Sequence, residues 1–158
     1  MRAEYINPFI NSLTNAFRTM LSCDVRREAV QLKRDSHGSY PVSGVIGLSG
    51  KAVGLVVISL SEEVALKAAS AMLMVEMTEV NADVVDAVGE LANMVAGAAK
   101  AQLEEYQLSI SLPSVITGER HEVRFPSNVC PISVQFSSDW GPLALEVGLA
   151  PVAQAVGA

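Results

Sequence analysis

Aromatic residues are scarce: one Trp, three Tyr and four Phe in 158 residues. A core with so few rings must be filled by Val, Leu, Ile, Ala and Met. It also offers few platforms on which single-stranded nucleic acid could stack. Basic charge is short as well, with 11 Lys and Arg against 17 Asp and Glu, a formal net charge of −6. Such a field repels a phosphate backbone, so nucleic acid is excluded as a partner. No stretch approaches the roughly 18 consecutive apolar residues of a membrane helix. Residues 1–11 hold one Arg, one acid and a Pro, without the apolar run or small-residue cleavage site of a signal peptide, so a cytoplasmic location is expected. Only two cysteines occur, Cys23 and Cys130, with no C-x-x-C, and both are expected as buried free thiols in a reducing compartment. The two histidines, His37 and His121, are far apart in polar segments and are read as surface residues; no ligand spacing supports a metal. Neither a phosphate-binding GxxxxGK[ST] nor a serine-hydrolase GxSxG is present.

Half the residues are hydrophobic and 18% charged, too apolar for disorder, and the length suits one domain spanning residues 1–158. Residues 5–21 repeat apolar side chains at three- and four-residue spacing (Ile6, Ile10, Leu13, Phe17, Met20, Leu21), the pattern of an amphipathic helix. Asn7 is a cap for it, with Pro8 at the first helical position. Residues 25–33 read as a strand, Ser36-His37-Gly38-Ser39 as a turn, and 42–48 with 53–60 as a hairpin. Ser61 caps a helix that begins with Glu62 and Glu63 and continues to Val75. Asn81 caps a long helix with Asp83 in its first turn, running to about Tyr106. Residues 108–118 form a strand that Pro113 bends or confines to an edge. Residues 119–128 are an exposed connection, 132–137 and 143–149 a last hairpin, and 151–158 a frayed tail.

The two hairpins resemble each other. Pro41-Val42-Ser43 matches Pro131-Ile132-Ser133, and the same offset of 90 brings Leu55 onto Leu145 and Val57 onto Val147. A gapless register predicts a duplication. The expected fold is α+β: two pseudo-repeats of a helix plus three strands, a largely antiparallel sheet, and a long helix carrying the site.

At about 100° per residue the long helix has two unlike faces. Val84, Val88, Leu91, Val95 and Ala99 fall on one side, and Asp86, Glu90, Asn93, Gly97, Lys100 and Glu104 on the other. Glu90 and Asn93 are one turn apart and can reach one partner together. Asn is a poor residue inside a helix, because its amide competes for backbone bonds. Gly89 and Gly97 border the same stripe, each at a cost of about 1 kcal/mol relative to Ala. Small residues beside a carboxylate and an amide let another backbone come close.

The run Asp86-Ala87-Val88-Gly89-Glu90-Leu91-Ala92-Asn93-Met94-Val95-Ala96-Gly97 resembles the signature of the CheC/CheX/FliY chemotaxis phosphatases, D/S-x-x-x-E-x-x-N followed by Gly. The opening Asn7-Pro8-Phe9, the segment 112–118 and the closing hairpin from Gly141 to Val147 are similar to the CheX branch. Ala98 stands where CheX-like sequences often have Asn, and the first helix offers only Ser12-Leu13-Thr14-Asn15, without a carboxylate. One site per chain is therefore expected.

The resemblance implies a phosphatase that hydrolyses the phosphoaspartate of a CheY-type response-regulator receiver. It gives the catalytic roles to Asn93, orienting the attacking water, and Glu90, docking a receiver lysine. Asp86, Gly89 and Gly97 would bind the partner. The chain would hold no cofactor or metal of its own; Mg²⁺ would belong to the phosphorylated receiver. The resemblance also implies a homodimer paired through sheet edges, the strand around Pro113 being a candidate edge. The alternative is a non-catalytic receiver-binding adaptor or dimerisation domain using the same helix face. A structural domain of a flagellar or secretion assembly would need a further targeting segment, which the sequence does not display. Met72, Met74 and Met77 are read as core and rim, and Trp140 as an interface anchor or a cap on the sheet end.

Overall fold

A computed structural model describes residues 3–33 and 40–152. The turn 36–39 with His37, and the tail beyond Val152, lie outside the described residues. The chain runs α1 (Ala3–Leu21), β1 (Val25–Leu32), β2 (Val42–Ser49), β3 (Ala52–Leu60), α2 (Glu62–Leu73), α3 (Ala82–Ala101), a single 3-10 turn (Glu104–Tyr106), β4 (Ser109–Ile110), β5 (Ser114–Thr117), β6 (Ile132–Ser138) and β7 (Leu143–Pro151).

Helix α1 buries Ile6, Phe9, Ile10, Leu13, Phe17 and Leu21, whereas Met20, expected on that face, is exposed. It begins at Ala3, so Pro8 lies inside the helix rather than at its first position. Burial of Tyr5 and Ile6 holds the first turn against the bond that Pro8 cannot donate. Tyr5 meets Tyr106 edge-on, with ring centroids 5.2 Å apart. Burial, and then the neighbouring Tyr5 hydroxyl, push the Tyr106 phenol up to about 12.

Ser61 caps α2, its hydroxyl accepting from the Val64 N–H at 3.4 Å. The helix stops at Leu73, because Met74 turns left-handed at φ 58°, and Val75 lies beyond it. Asn81 caps α3, accepting from the Val84 N–H at 3.0 Å. That helix ends at Ala101, before the expected Tyr106; Leu103 leaves the helical path and is buried.

The strand order is β1-β6-β7-β3-β2-β4, with β5 also on β2, and every pairing is antiparallel. The fold is α+β. Its pseudo-repeats are α1-β1-β2-β3 and α3-β4/β5-β6-β7, with α2 between them. The hairpins meet at β3–β7, and each is flanked by the other half's first strand, β1 on β6 and β4/β5 on β2.

The gapless offset of 90 holds only in part. Val42 and Ile46 match Ile132 and Phe136, all in the helix-covered core. The register across β2, β3 and β7, however, puts Val56 and Ile58 on the same side as Val147 and Leu145, so Leu55 and Val57 face the opposite way from their supposed equivalents. Nine residues separate the paired Ile46 and Val56, and six separate their counterparts Phe136 and Leu143. The second hairpin is three residues shorter, and an odd difference turns a strand over.

The outer face of the sheet is not bare. Residues 119–128, expected as an exposed connection, cross it together with Val129 and Cys130: Val123 and Val129 are buried. A Cβ on Gly148 would lie 2.3 Å from Val129 Cγ1 and 2.8 Å from Phe125, so glycine makes room for this strap. His121, expected at the surface, is half-buried there, its Nε2 2.8 Å from Ser43 Oγ and its Nδ1 2.8 Å from the Gly118 carbonyl. Cys23 is buried, and desolvation raises its thiol pKa; Cys130, contrary to expectation, is exposed, because it ends the strap at the rim of the sheet. Trp140 packs on the core, and so do Met72 and Met77, whereas Met74 is exposed.

Beneath this face Lys33 Nζ lies 2.5 Å from Glu146 Oε2, with 6% and 1% of the two side chains exposed. Removing Lys33 takes the close cation away from a buried carboxylate. Lys33→Ala is therefore expected to cost about 3–5 kcal/mol. Urea unfolding checks this, and loss of less than about 1 kcal/mol would show that water or another group takes over the carboxylate.

Candidate active site

Helix α3 is positioned by what two glycines leave out. A Cβ on Gly44 of β2 would sit 2.9 Å from Ala92 Cβ and 3.4 Å from the Val88 carbonyl, so the helix lies almost directly on the strand. Gly89 is buried, and its missing Cβ faces Val115 at 3.4 Å and Pro113 at 3.6 Å. The close approach that Gly89 permits is thus to its own edge strand. This corrects its expected place on the partner surface: it falls at the border of the stripe, on the side that β5 covers.

The remaining stripe is open. Asp86, Glu90 and Lys100 are exposed, and Asn93 is half-buried. Gly97 has nothing within 4 Å of where its Cβ would be. The opposite side, Val84, Val88, Leu91, Val95 and Ala99, is buried as expected. Among the described residues neither Asp86 nor Glu90 forms an ion pair. Asn93 lies one turn from Glu90, about 4.5 Å along the axis. A free carboxylate and a half-buried amide thus face outward together.

Past Asn93 the stripe borders a cleft of about 440 Å³ lined by Gly97, Lys100, Glu104, Gln107, Leu108 and Ile110. The corresponding stretch of α1 carries no such pair. Ser12 is buried, with the Gln102 amide 3.5 Å from its hydroxyl, and Asn15 is exposed without a carboxylate beside it. Among the described residues no three His, Cys, Asp or Glu side chains gather to hold a metal ion. No described helix is long and apolar enough to cross a membrane.

The edge strand beside the stripe was read from sequence as one strand over residues 108–118. It is two, and they are out of step. Leu48 faces Ile110 and Val45 faces Ser114, three residues on β2 against four on the edge. The extra residue makes a bulge at Ser111-Leu112-Pro113. Ser111 fastens it: its N–H donates to the Gly47 carbonyl at 2.9 Å, and its hydroxyl accepts from the Gly47 N–H at 2.8 Å. Pro113 was the only sequence signal for this break.

The family described as chemotaxis phosphatase CheX matches residues 42–137, which span β2 to β6 and therefore all of α3 and the bulge. The chain belongs to the CheX family. It is 35% identical to chemotaxis protein CheX from Vibrio vulnificus, over 94% of this chain and 100% of that one, with a TM-score of 0.84. It is 28% identical over 127 residues to the CheY-P phosphatase CheX of Thermotoga maritima, covering 78% of this chain and 82% of that protein. It also shares its fold with the CheX of the CheX-CheY-BeF3-Mg²⁺ complex from Borrelia burgdorferi, at 24% identity, 94% and 99% coverage, and a TM-score of 0.77.

The two helix glycines should respond differently to size. Gly97→Leu projects into open space and should leave the melting temperature within a few degrees of wild type. Gly89→Leu must displace Pro113 and Val115, an overpacking worth about 1–3 kcal/mol. Thermal unfolding of both variants checks this. Equal melting temperatures would mean that β5 yields to the helix.

Proposed function

We propose that this CheX-family chain hydrolyses the phosphoaspartate of a CheY-type receiver, with Asn93 orienting the attacking water and Glu90 engaging a receiver lysine. The observation that supports it is the outward-facing pair Glu90 and Asn93, one turn apart on α3, with no ion pair to the carboxylate among the described residues. The CheY-P phosphatase named among its relatives points to the same substrate.

Phosphoryl transfer demands positioning and charge neutralisation more than a covalent catalyst. The Asn93 carboxamide is neutral. Its oxygen can accept a hydrogen bond from the attacking water and fix the lone pair in line with the phosphorus. Water oxygen bonds to phosphorus, the bond from phosphorus to the aspartyl oxygen breaks, and the water's proton passes to a phosphate oxygen. The products are inorganic phosphate and the free aspartate. Glu90 sets the register by pairing with a cation on the receiver, and Asp86, a turn earlier, adds to the same negative field. Mg²⁺ would be held by the receiver's own carboxylates and would neutralise charge on the phosphoryl group. Gly97 leaves space for the receiver to lie along the helix.

We also place a homodimer on the free edge of β1, where Val30 and Leu32 are exposed, rather than on the β4–β5 edge named from sequence. Pairing needs an unbroken run of ladder; the bulge splits the second edge into two short strands, whereas the irregularity of β1 between Arg27 and Ala29 leaves residues 29–32 in continuous register. Leu32→Lys should shift sedimentation toward the monomer; an unchanged dimer would place the interface elsewhere.

Asn93→Ala should lower turnover of CheY-P by about 100-fold or more while leaving receiver affinity near wild type. Near wild-type turnover would remove Asn93 from the chemistry. Equally slow phosphate loss with and without wild-type protein would leave receiver binding as the whole activity. Glu90→Lys should weaken binding in a salt-dependent way, because it sets two cations together. Wild-type affinity in that variant would dismiss the lysine contact.

A further inference from the structure

Leu112 is 89% exposed, although a leucine gains about 2 kcal/mol from burial; among the described large apolar side chains only Met74, at 90%, is more exposed. An isolated surface leucine needs no explanation. This one differs in how it is held and where it stands.

It occupies the bulge of the edge strand, the extra residue of which has no partner on β2. The residue before it is fastened to Gly47 by two hydrogen bonds of 2.8 and 2.9 Å, and the Ser111 hydroxyl, in turn, donates to the Leu112 carbonyl at 2.9 Å. The residue after it, Pro113, is fixed in φ and lies against Gly89. The backbone of Leu112 is therefore pinned on both sides, so presenting the side chain costs little further ordering on binding.

Its position follows from its neighbours. Pro113 lies against Gly89, and Ile110 shares a cleft with Gly97. The edge segment thus passes α3 from Gly97 back to Gly89 as it runs from 110 to 113. Leu112 falls between, beside the turn that carries Glu90 and Asn93. Bulges beside active sites serve to re-aim a side chain.

We propose that Leu112 is the apolar anchor of the receiver interface: it packs on the receiver next to the phosphoaspartate. The proposal rests on the phosphatase reading above and adds a residue to it. The charged stripe alone gives register and encounter rate. Affinity between proteins usually comes from a few apolar anchors ringed by polar contacts. Leu112 supplies one at the border of the stripe, and its occupant is the receiver because the receiver must approach Asn93 within hydrogen-bond reach of the phosphoryl group.

The test uses a CheY that wild-type protein dephosphorylates, charged with acetyl phosphate, and compares Leu112→Ser, Leu112→Met and Asn93→Ala. Leu112→Ser should melt with wild type, because nothing buries that side chain, and should raise KM about 10-fold while kcat at saturation stays within about two-fold. Leu112→Met, apolar and of similar volume, should restore KM. A wild-type KM in Leu112→Ser, or a loss explained by a lower melting temperature, overturns the anchor. Failure of the phosphatase reading has a separate signature: Asn93→Ala would retain turnover. An inactive Asn93→Ala beside a Leu112→Ser with wild-type KM removes Leu112 alone.

Discussion

Gly44 has no side chain and Ala92 has one carbon, and the approach of α3 to β2 rests on that economy. With 2.9 Å between the Cβ that Gly44 lacks and that of Ala92, any larger pair would lift the helix off the sheet. The buried side of α3 is almost all Ala and Val, apart from Leu91 and Gly89, so the helix lies low along its length. A helix held this close cannot roll. Its orientation then fixes which residues face outward, and Glu90 and Asn93 inherit their direction from packing on the other side of the helix.

The second contact, Gly89 against Pro113 and Val115, ties the same helix to the edge strand. Polar groups in the stripe are therefore presented by a rigid element with rigid borders. That suits a reaction in which the protein contributes position more than chemistry. Among the described residues no ion pair holds the Glu90 carboxylate that a partner would have to break. The strap over the outer face and the buried Lys33–Glu146 pair lie on the far side of the sheet and stabilise the platform without touching the stripe.

Each half of the chain begins with a helix and a strand, and each first strand joins the other half's hairpin. The exchange makes the two halves one sheet. It also separates their fates: α1 buries Ser12, where α3 exposes Glu90. The offset of 90 holds in β2 and β6 and fails in β3 and β7, because the second hairpin is three residues shorter and an odd difference reverses which face each side chain meets.

Local chemistry alone determined a good part of this molecule. The caps Ser61 and Asn81, the strand and helix periods, and the two faces of α3 depend on neighbours three or four residues away, and they are legible wherever such neighbours decide the outcome. Asn93 and Glu90 stood out for the same reason, as polar residues at helical spacing with a signature around them. Where the decision was tertiary, the sequence was silent. Pro8 sits inside a helix because burial outweighs one lost hydrogen bond. Gly89 looks like Gly97 in sequence, and only the position of Pro113 tells which of them faces solvent. His121 and Phe125 gave no sign that their polar segment crosses a sheet. Leu112 reads as one more apolar residue of a strand; it projects because four residues must span what β2 spans in three, a register that only the folded sheet imposes.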